Sequence, residues 1–266
     1  SSVAFFFFIL LTEVEAQPDI QLKQCSSRVE SLRKGSNLSI GHWWALLRDI
    51  SKDVQTHRTS ELTLGAKVAL NLFTPDKRVL PTKLHQFTKR LDEVTNIRNQ
   101  FHGHSFTLSP EQYQSLGCQM LQTTSMFFSV IRQIDDCTLF YVLNCSVTPE
   151  QSCLLDIFVL NGDMRRPLRR KVECNETVAT GSLWICEEDD FEQMLVLGNC
   201  RQISPFIQFD PTKNTLLISQ AVHKQQFHLS NIIGGEKVLE PASEPGLIRI
   251  DRILERIDKT NEAYQS

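Results

Sequence analysis

The chain has eight cysteines but no C-x-x-C pair, and the spacing of Cys137, Cys145, Cys153, Cys174, Cys186 and Cys200 matches no zinc pattern. It also lacks a membrane-length apolar run. The opening stretch Val3–Leu11 is about nine residues long, whereas a spanning helix needs about 20. A global excess of basic charge is missing too. With 28 Lys and Arg against 31 Asp and Glu, the net charge is -3, so no long-range field draws in nucleic acid. No Walker loop, dinucleotide fingerprint or G-x-S-x-G occurs, which leaves ATPase, dehydrogenase and serine-hydrolase readings without residues to rest on. Internal repeats and low-complexity tracts are absent as well.

What remains is an ordinary folded composition, 41% apolar and 22% charged over 266 residues. That length gives room for two cores at roughly 100–200 residues per domain. The cysteines read as small core hydrophobes in a reducing cytoplasm, with disulfides as the alternative. Because the first residue is Ser1 and not Met, the expectation is a piece of a longer chain, with further domains outside it.

Residues 3–11 can be read as the apolar part of a secretory leader or as a buried helix whose start is missing. The sequons at Asn37, Asn144 and Asn175 suit a secreted chain. Against a leader stand the missing basic flank and the acids Glu13 and Glu15. The preferred reading is a buried helix in a cytoplasmic protein with no membrane contact, secretion being the alternative.

Along the chain, the pattern predicts a helix over 3–16, stopped by Pro18 and Asp19. A second helix, capped by Ser39, presents Trp43, Trp44, Leu46, Leu47 and Ile50. A short apolar piece follows at 62–70. Leu84, Phe87, Leu91, Val94 and Ile97 then form one helical stripe. Ser109-Pro110-Glu111-Gln112 offers an N-cap, a proline at the first helical position and the partner of a capping box. Leu116, Met120, Phe127 and Ile131 mark that helix to about residue 133.

After Asp135-Asp136 the texture changes to short β-rich runs at 139–143, 154–160, 183–186, 194–197 and 216–219. Turn signals sit at Asn161-Gly162-Asp163, Gly198-Asn199 and Asp210-Pro211. Strands in succession without helices between them predict an antiparallel sheet. The fold class expected is α+β. A helical bundle over 1–134 is followed by a β-rich module over 135–242, then a linker or short helix over 243–266.

The chemistry concentrates at Arg98-Asn99-Gln100-Phe101-His102-Gly103-His104, where the stripe ends. A guanidinium holds phosphate through a planar fork of donors and stays charged at any working pH. An imidazole near neutrality can take or give a proton. Together they suffice to cleave RNA without a metal. The imidazole would activate the 2'-hydroxyl or protonate the leaving 5'-oxygen, while Arg98 stabilises the charged transition state.

These residues resemble the motif of the HEPN family, the higher-eukaryote and prokaryote nucleotide-binding domains. That motif is an Arg, usually a polar residue next, and a His four to six residues further on. Five residues separate Arg98 from His104, and Ile97 supplies the apolar residue before the arginine. In a common form of the motif a His-Gly pair begins five positions after the Arg. Here that position is Gly103, so His102 falls one residue short and His104 carries the role.

The resemblance covers about residues 3–134 and implies an all-α bundle. It also implies an Arg98, Asn99 and His104 site, with His102 helping or idle, formed across a homodimer and cutting RNA in defence or toxin systems. No cofactor and no DNA are implied. The later β-rich part resembles a module that follows such helical domains in bacterial signalling and conflict proteins.

Simpler readings stand beside these. Arg98 and Asn99 can cap a helix end, and both histidines can be exposed loop residues. The alternative function is a non-catalytic adaptor that dimerises or senses a nucleotide, with the β-module binding a protein. Arg165, Arg166, Arg169 and Arg170 form the one dense basic run. It reads as a solvated hairpin, or as an auxiliary RNA contact. Trp43 and Trp44 read as core rather than as base-stacking platforms.

Overall fold

The computed structural model describes residues 2–17, 19–22, 38, 40–55, 62–71, 89, 92, 109–131, 134, 136–149, 152–160, 166–187, 197–223, 226–231, 237–241, 249, 252 and 255. Helix α1 (Ser2–Ala16) is apolar on every side over its first three turns, and a helix of that kind is stable only when surrounded. It is surrounded here: Phe6, Phe7, Phe8, Ile9, Leu10 and Leu11 are all buried. Helix α2 (Ile40–Gln55) packs on it through Trp43, Trp44, Leu46, Leu47, Ile50 and Val54. The Trp43 ring lies 5.8 Å from Phe7 and 5.6 Å from Phe8, within the range of favourable aromatic pairs. Both tryptophans are therefore core.

The apolar piece at 62–70 becomes the short helix α3 (Leu64–Asn71). Its first backbone N–H donates to Glu187 Oε1 at 2.9 Å, so a β-strand side chain satisfies a donor that a helix start leaves open. Gly65 lets α3 come close. A Cβ there would meet Ile185 Cδ1 at 3.2 Å and Ile9 Cγ2 at 3.5 Å.

Helix α4 (Pro110–Ile131) starts as its sequence predicts. Gln112 N donates to Ser109 Oγ at 3.3 Å and Ser109 N donates to Gln112 Oε1 at 2.9 Å, which is the reciprocal capping box. The stripe expected along α4 does not face the core in its first half. Tyr113, Met120 and Leu121 are exposed, and Thr123 is the buried residue there. Every position from 110 to 122 except the half-buried Leu116 is open to solvent.

Helix gives way to strand between Ile131 and Cys137. Strands β1 (Cys137–Val147), β2 (Cys153–Leu160), β3 (Leu168–Cys174), β4 (Leu183–Glu187) and β5 (Arg201–Gln202) form one sheet in the order β3-β2-β1-β4-β5. A second sheet runs β6 (Ile207–Asp210), β7 (Thr215–His223), β8 (Gln226–Asn231), β9 (Lys237–Pro241) in sequence order. All the described pairings are antiparallel, as expected for strands joined directly. The chain is thus α+β, with helices first and antiparallel sheets after.

The five-stranded sheet lies between two apolar clusters. Alternation along β1 sends Phe140 and Val142 to one side and Leu139 and Tyr141 to the other. The larger cluster holds α1, α2 and α3 against Leu183, Ile185, Ile203, Phe206, Ile207, Phe209 and Ile218. One core therefore crosses from the helical half into the β half. The smaller cluster joins Phe140, Val142, Leu155, Ile157 and Val159 to Cys153, Cys174, Cys186 and Cys200.

The basic run lies in a solvated hairpin, as expected: residues 168–174 form the edge strand β3, paired antiparallel with β2, and Arg166, Arg169 and Arg170 are exposed. Of the strand expected at 194–197, residues 194–196 lie outside the described residues, and Leu197 opens a single 3-10 turn, Leu197–Asn199, where Gly198 and Asn199 favour a turn. Strands β5, β6, β8 and β9 had no matching expectation. The Asp210-Pro211 turn is present. Asp210 Oδ1 accepts from Thr212 N at 2.9 Å and Lys213 N at 3.2 Å, and Asn214 takes a left-handed φ of 49°. Among the described residues no helix is long and apolar enough to cross a membrane.

Candidate functional site

Arg98, Asn99, His102 and His104 lie outside the described residues, as does every residue of the apolar stripe before them. Lys89 and Asp92, between the stripe positions, are described, and both are helical and exposed. The Trp44 indole N–H donates to Asp92 Oδ1 at 3.2 Å. Asp92, six residues before Arg98, is thereby held to α2. On the other side of the motif, the capping box fixes the start of α4 at Ser109.

Only part of the basic run is described. Arg165 and the Asn161–Asp163 turn lie outside the described residues, while Arg166, Arg169 and Arg170 are exposed. Strand alternation sends Arg169 and Arg170 to opposite faces of β3. Arg169 is already engaged, its Nε donating to Asp156 Oδ1 at 2.9 Å and its Nη2 to Oδ2 at 2.5 Å. This hydrogen-bonded pairing holds the Asp156 carboxyl below its ordinary range and raises Arg169. Arg166 and Arg170 are the two exposed guanidiniums of the run that have no such carboxylate partner among the described contacts.

A polar seam that sequence reasoning passed over lies where α1 meets the β half. Glu13 is fully buried at 0% exposure. Its carboxylate accepts from Gln17 Nε2 at 2.7 Å, Thr63 Oγ1 at 2.7 Å and Arg201 Nη2 at 3.0 Å. Arg201 also donates through Nη1 to the carbonyls of Gly198 and Cys200 at 2.8 and 2.9 Å. Next to it, Arg249 forks onto Glu15, donating from Nε to Oε1 at 2.8 Å. The same guanidinium donates to the carbonyls of Gln202 and Ser204 and lies 5.5 Å from the centre of the Phe206 ring.

A buried ion pair is tolerable only when its remaining lone pairs and protons are satisfied. Glu13 takes three side-chain donors, from Gln17, Thr63 and Arg201, and so ties α1 to the β half, while the buried Arg201 Nε has no partner among the described residues. The sequence signal was there: two acids at the end of an otherwise apolar helix.

His42 is exposed on α2 and His228 half-buried on β8. Among the described residues, no group of three or more His, Cys, Asp and Glu side chains is arranged to hold a metal ion. Burial, reinforced by Glu187 and then Asp136, pushes the Cys137 thiol up to about 12, so it stays protonated and packs as an apolar group. Comparison of the chain with protein-family models, with curated proteins and with solved structures gives no match.

Proposed function

We propose that the chain is a metal-independent endoribonuclease effector of the HEPN type, acting as a homodimer. The observation that carries this reading is the spacing of Arg98 and His104, with five residues between them, at the end of an amphipathic stripe. Supporting it is the setting, a helical N-terminal half followed by antiparallel sheets. Arg98 binds the scissile phosphate and His104 transfers the proton. Asn99 positions Arg98 or the substrate, and His102 assists. One imidazole serves both proton transfers poorly, so facing copies of the site in a dimer divide the work. The β-rich half is the partner-binding or regulatory module of the same effector.

Labelled single-stranded RNA incubated with the purified chain in EDTA tests the proposal. Cleavage is expected, falling by about 100-fold or more in both Arg98→Ala and His104→Ala, with a smaller loss in His102→Ala. Identical traces for wild type and both main variants sink the enzyme and leave the adaptor reading.

A further inference from the structure

Three thiols lie on adjacent strands on the face of the five-stranded sheet that carries the smaller apolar cluster. Cys153 on β2 is directly opposite Cys174 on β3. On the other side of β2, Cys145 of β1 pairs with Leu155, two residues from Cys153 and on the same face. Cys145 reaches that face because of a bulge. The register shifts between Val142 and Asn144, and the extra residue reverses which side chains point inward. Without it, Cys145 would face away from Val142 and Phe140. Cys200, buried after the 3-10 turn, belongs to the same cluster. None of the seven described cysteines is in a disulfide.

We propose that this trio is an oxidation site, in which Cys145 takes oxidising equivalents from glutathione disulfide and passes them inward to close a Cys153–Cys174 cross-strand disulfide. Directly opposed residues on paired strands have Cα atoms about 4.5–5.5 Å apart, inside the roughly 4.4–6.8 Å window that a disulfide needs. Access sets the order of events. Cys153 and Cys174 are buried, whereas Cys145 is half-buried between the exposed Asn144 and Ser146. Burial also holds the Cys153 and Cys174 thiols above their ordinary pKa, with neighbouring thiols adding to it. Neither is therefore the first to react with a solute.

The Cys145 thiolate attacks one sulfur of glutathione disulfide, forming a mixed disulfide and releasing one glutathione thiol. Cys153 then attacks the Cys145 sulfur and releases the second glutathione. Cys174 attacks Cys153, forming the final bridge and returning Cys145 to the thiol. The sum is two protein thiols oxidised to one disulfide and one glutathione disulfide reduced to two glutathiones. The bridge ties the edge strand β3, with its exposed arginines, to β2. It is independent of any chemistry at Arg98 and His104.

The test uses the full chain, reduced, exchanged into glutathione disulfide and sampled over time. Free thiols are alkylated, the protein is digested and the bridges are mapped by mass spectrometry. The expected product links the Cys153 and Cys174 peptides, with the loss of two hydrogens and Cys145 alkylated. In Cys145→Ala the same bridge forms at least about tenfold more slowly, since Cys153 and Cys174 are themselves buried and have lost the accessible thiol beside them. Wild-type protein in which Cys153 and Cys174 both stay alkylatable at equilibrium, or in which either bridges elsewhere, overturns the proposal. Bridge formation at an unchanged rate in Cys145→Ala overturns the relay. The wild-type map decides the site even if a variant fails to fold.

Discussion

Helices α1 and α4 occupy opposite extremes of the same chain. The first has almost every side chain buried, while the first half of the second is almost entirely open to solvent. Yet α4 carries the better local signals, with a capping box, a proline at its first position and a longer run. Helix α1 has no acidic residue in its first turn and no basic residue in its last. Local chemistry thus starts α4, and burial alone accounts for α1. The lesson is that a helix can be specified by its ends or by its surroundings, and substitutions should separate the two.

The largest effect is expected at Phe8. Its ring stacks on Phe206 at 5.1 Å with the planes 9° apart, and meets Trp43 and Phe7 at 5.6 and 5.3 Å. It joins α1 to α2 and to the β half at one point. Phe8→Ala is expected to cost about 4 kcal/mol, from lost burial and the cavity left behind. Chemical denaturation followed by circular dichroism and by tryptophan fluorescence would measure it. Both probes should shift together, because one core spans both halves; separate transitions would show that the halves unfold independently.

A smaller loss is expected from Glu13→Gln. The amide keeps the shape but replaces one acceptor oxygen with a donor, which then faces Gln17, Thr63 or Arg201. A cost of about 2 kcal/mol follows for a buried donor left without its acceptor. Equal stability of Glu13→Gln and wild type, by the same denaturation, would mean that the seam does not bind the halves together.

The same contrast explains what the sequence made legible. The apolar run of α1, the stripe of α2 and the cap of α4 are local signals, and each marks a helix in the structure. The α+β division was readable from the change of texture after Asp136. Strand β3 was not, because Leu168–Cys174 has charges at consecutive positions. Its identity as a strand comes from pairing with β2, a contact that local pattern does not encode. The seam was illegible for the same reason: Glu13 and Arg201 are 188 residues apart. The bulge that turns Cys145 inward likewise depends on the register of two strands. Of the candidate catalytic site, sequence supplied residues and spacing. The structure adds the flanking anchors at Asp92 and Ser109.

Ser109→Ala sharpens the comparison from the side of α4. It removes the acceptor for Gln112 N and the hydroxyl that donates to Glu111 Oε2 at 2.6 Å. A loss of about 1 kcal/mol is typical for such a cap. That hydroxyl is also the main reason the Glu111 carboxyl is held below its ordinary range. A carboxyl with a lowered folded-state pKa adds stability above its unfolded value, and the gain disappears as pH falls through the folded value. The difference between wild type and Ser109→Ala should therefore shrink on acidification below the ordinary glutamate range. A difference that grows in acid would contradict the cap.

The smallest effect is expected at Leu121, the most exposed large apolar residue described, at 73%. If α4 is specified by its ends, removing this side chain leaves the helix in place. Alanine keeps, and slightly improves, the helical preference of the position. Leu121→Ala should then change the denaturation midpoint by no more than the equivalent of about 0.5 kcal/mol, the usual range for open surface positions. A cost approaching that of Phe8→Ala would show that Leu121 is covered in solution. In that case α4, like α1, would owe its place to what surrounds it, and the distinction between the two helices would fail.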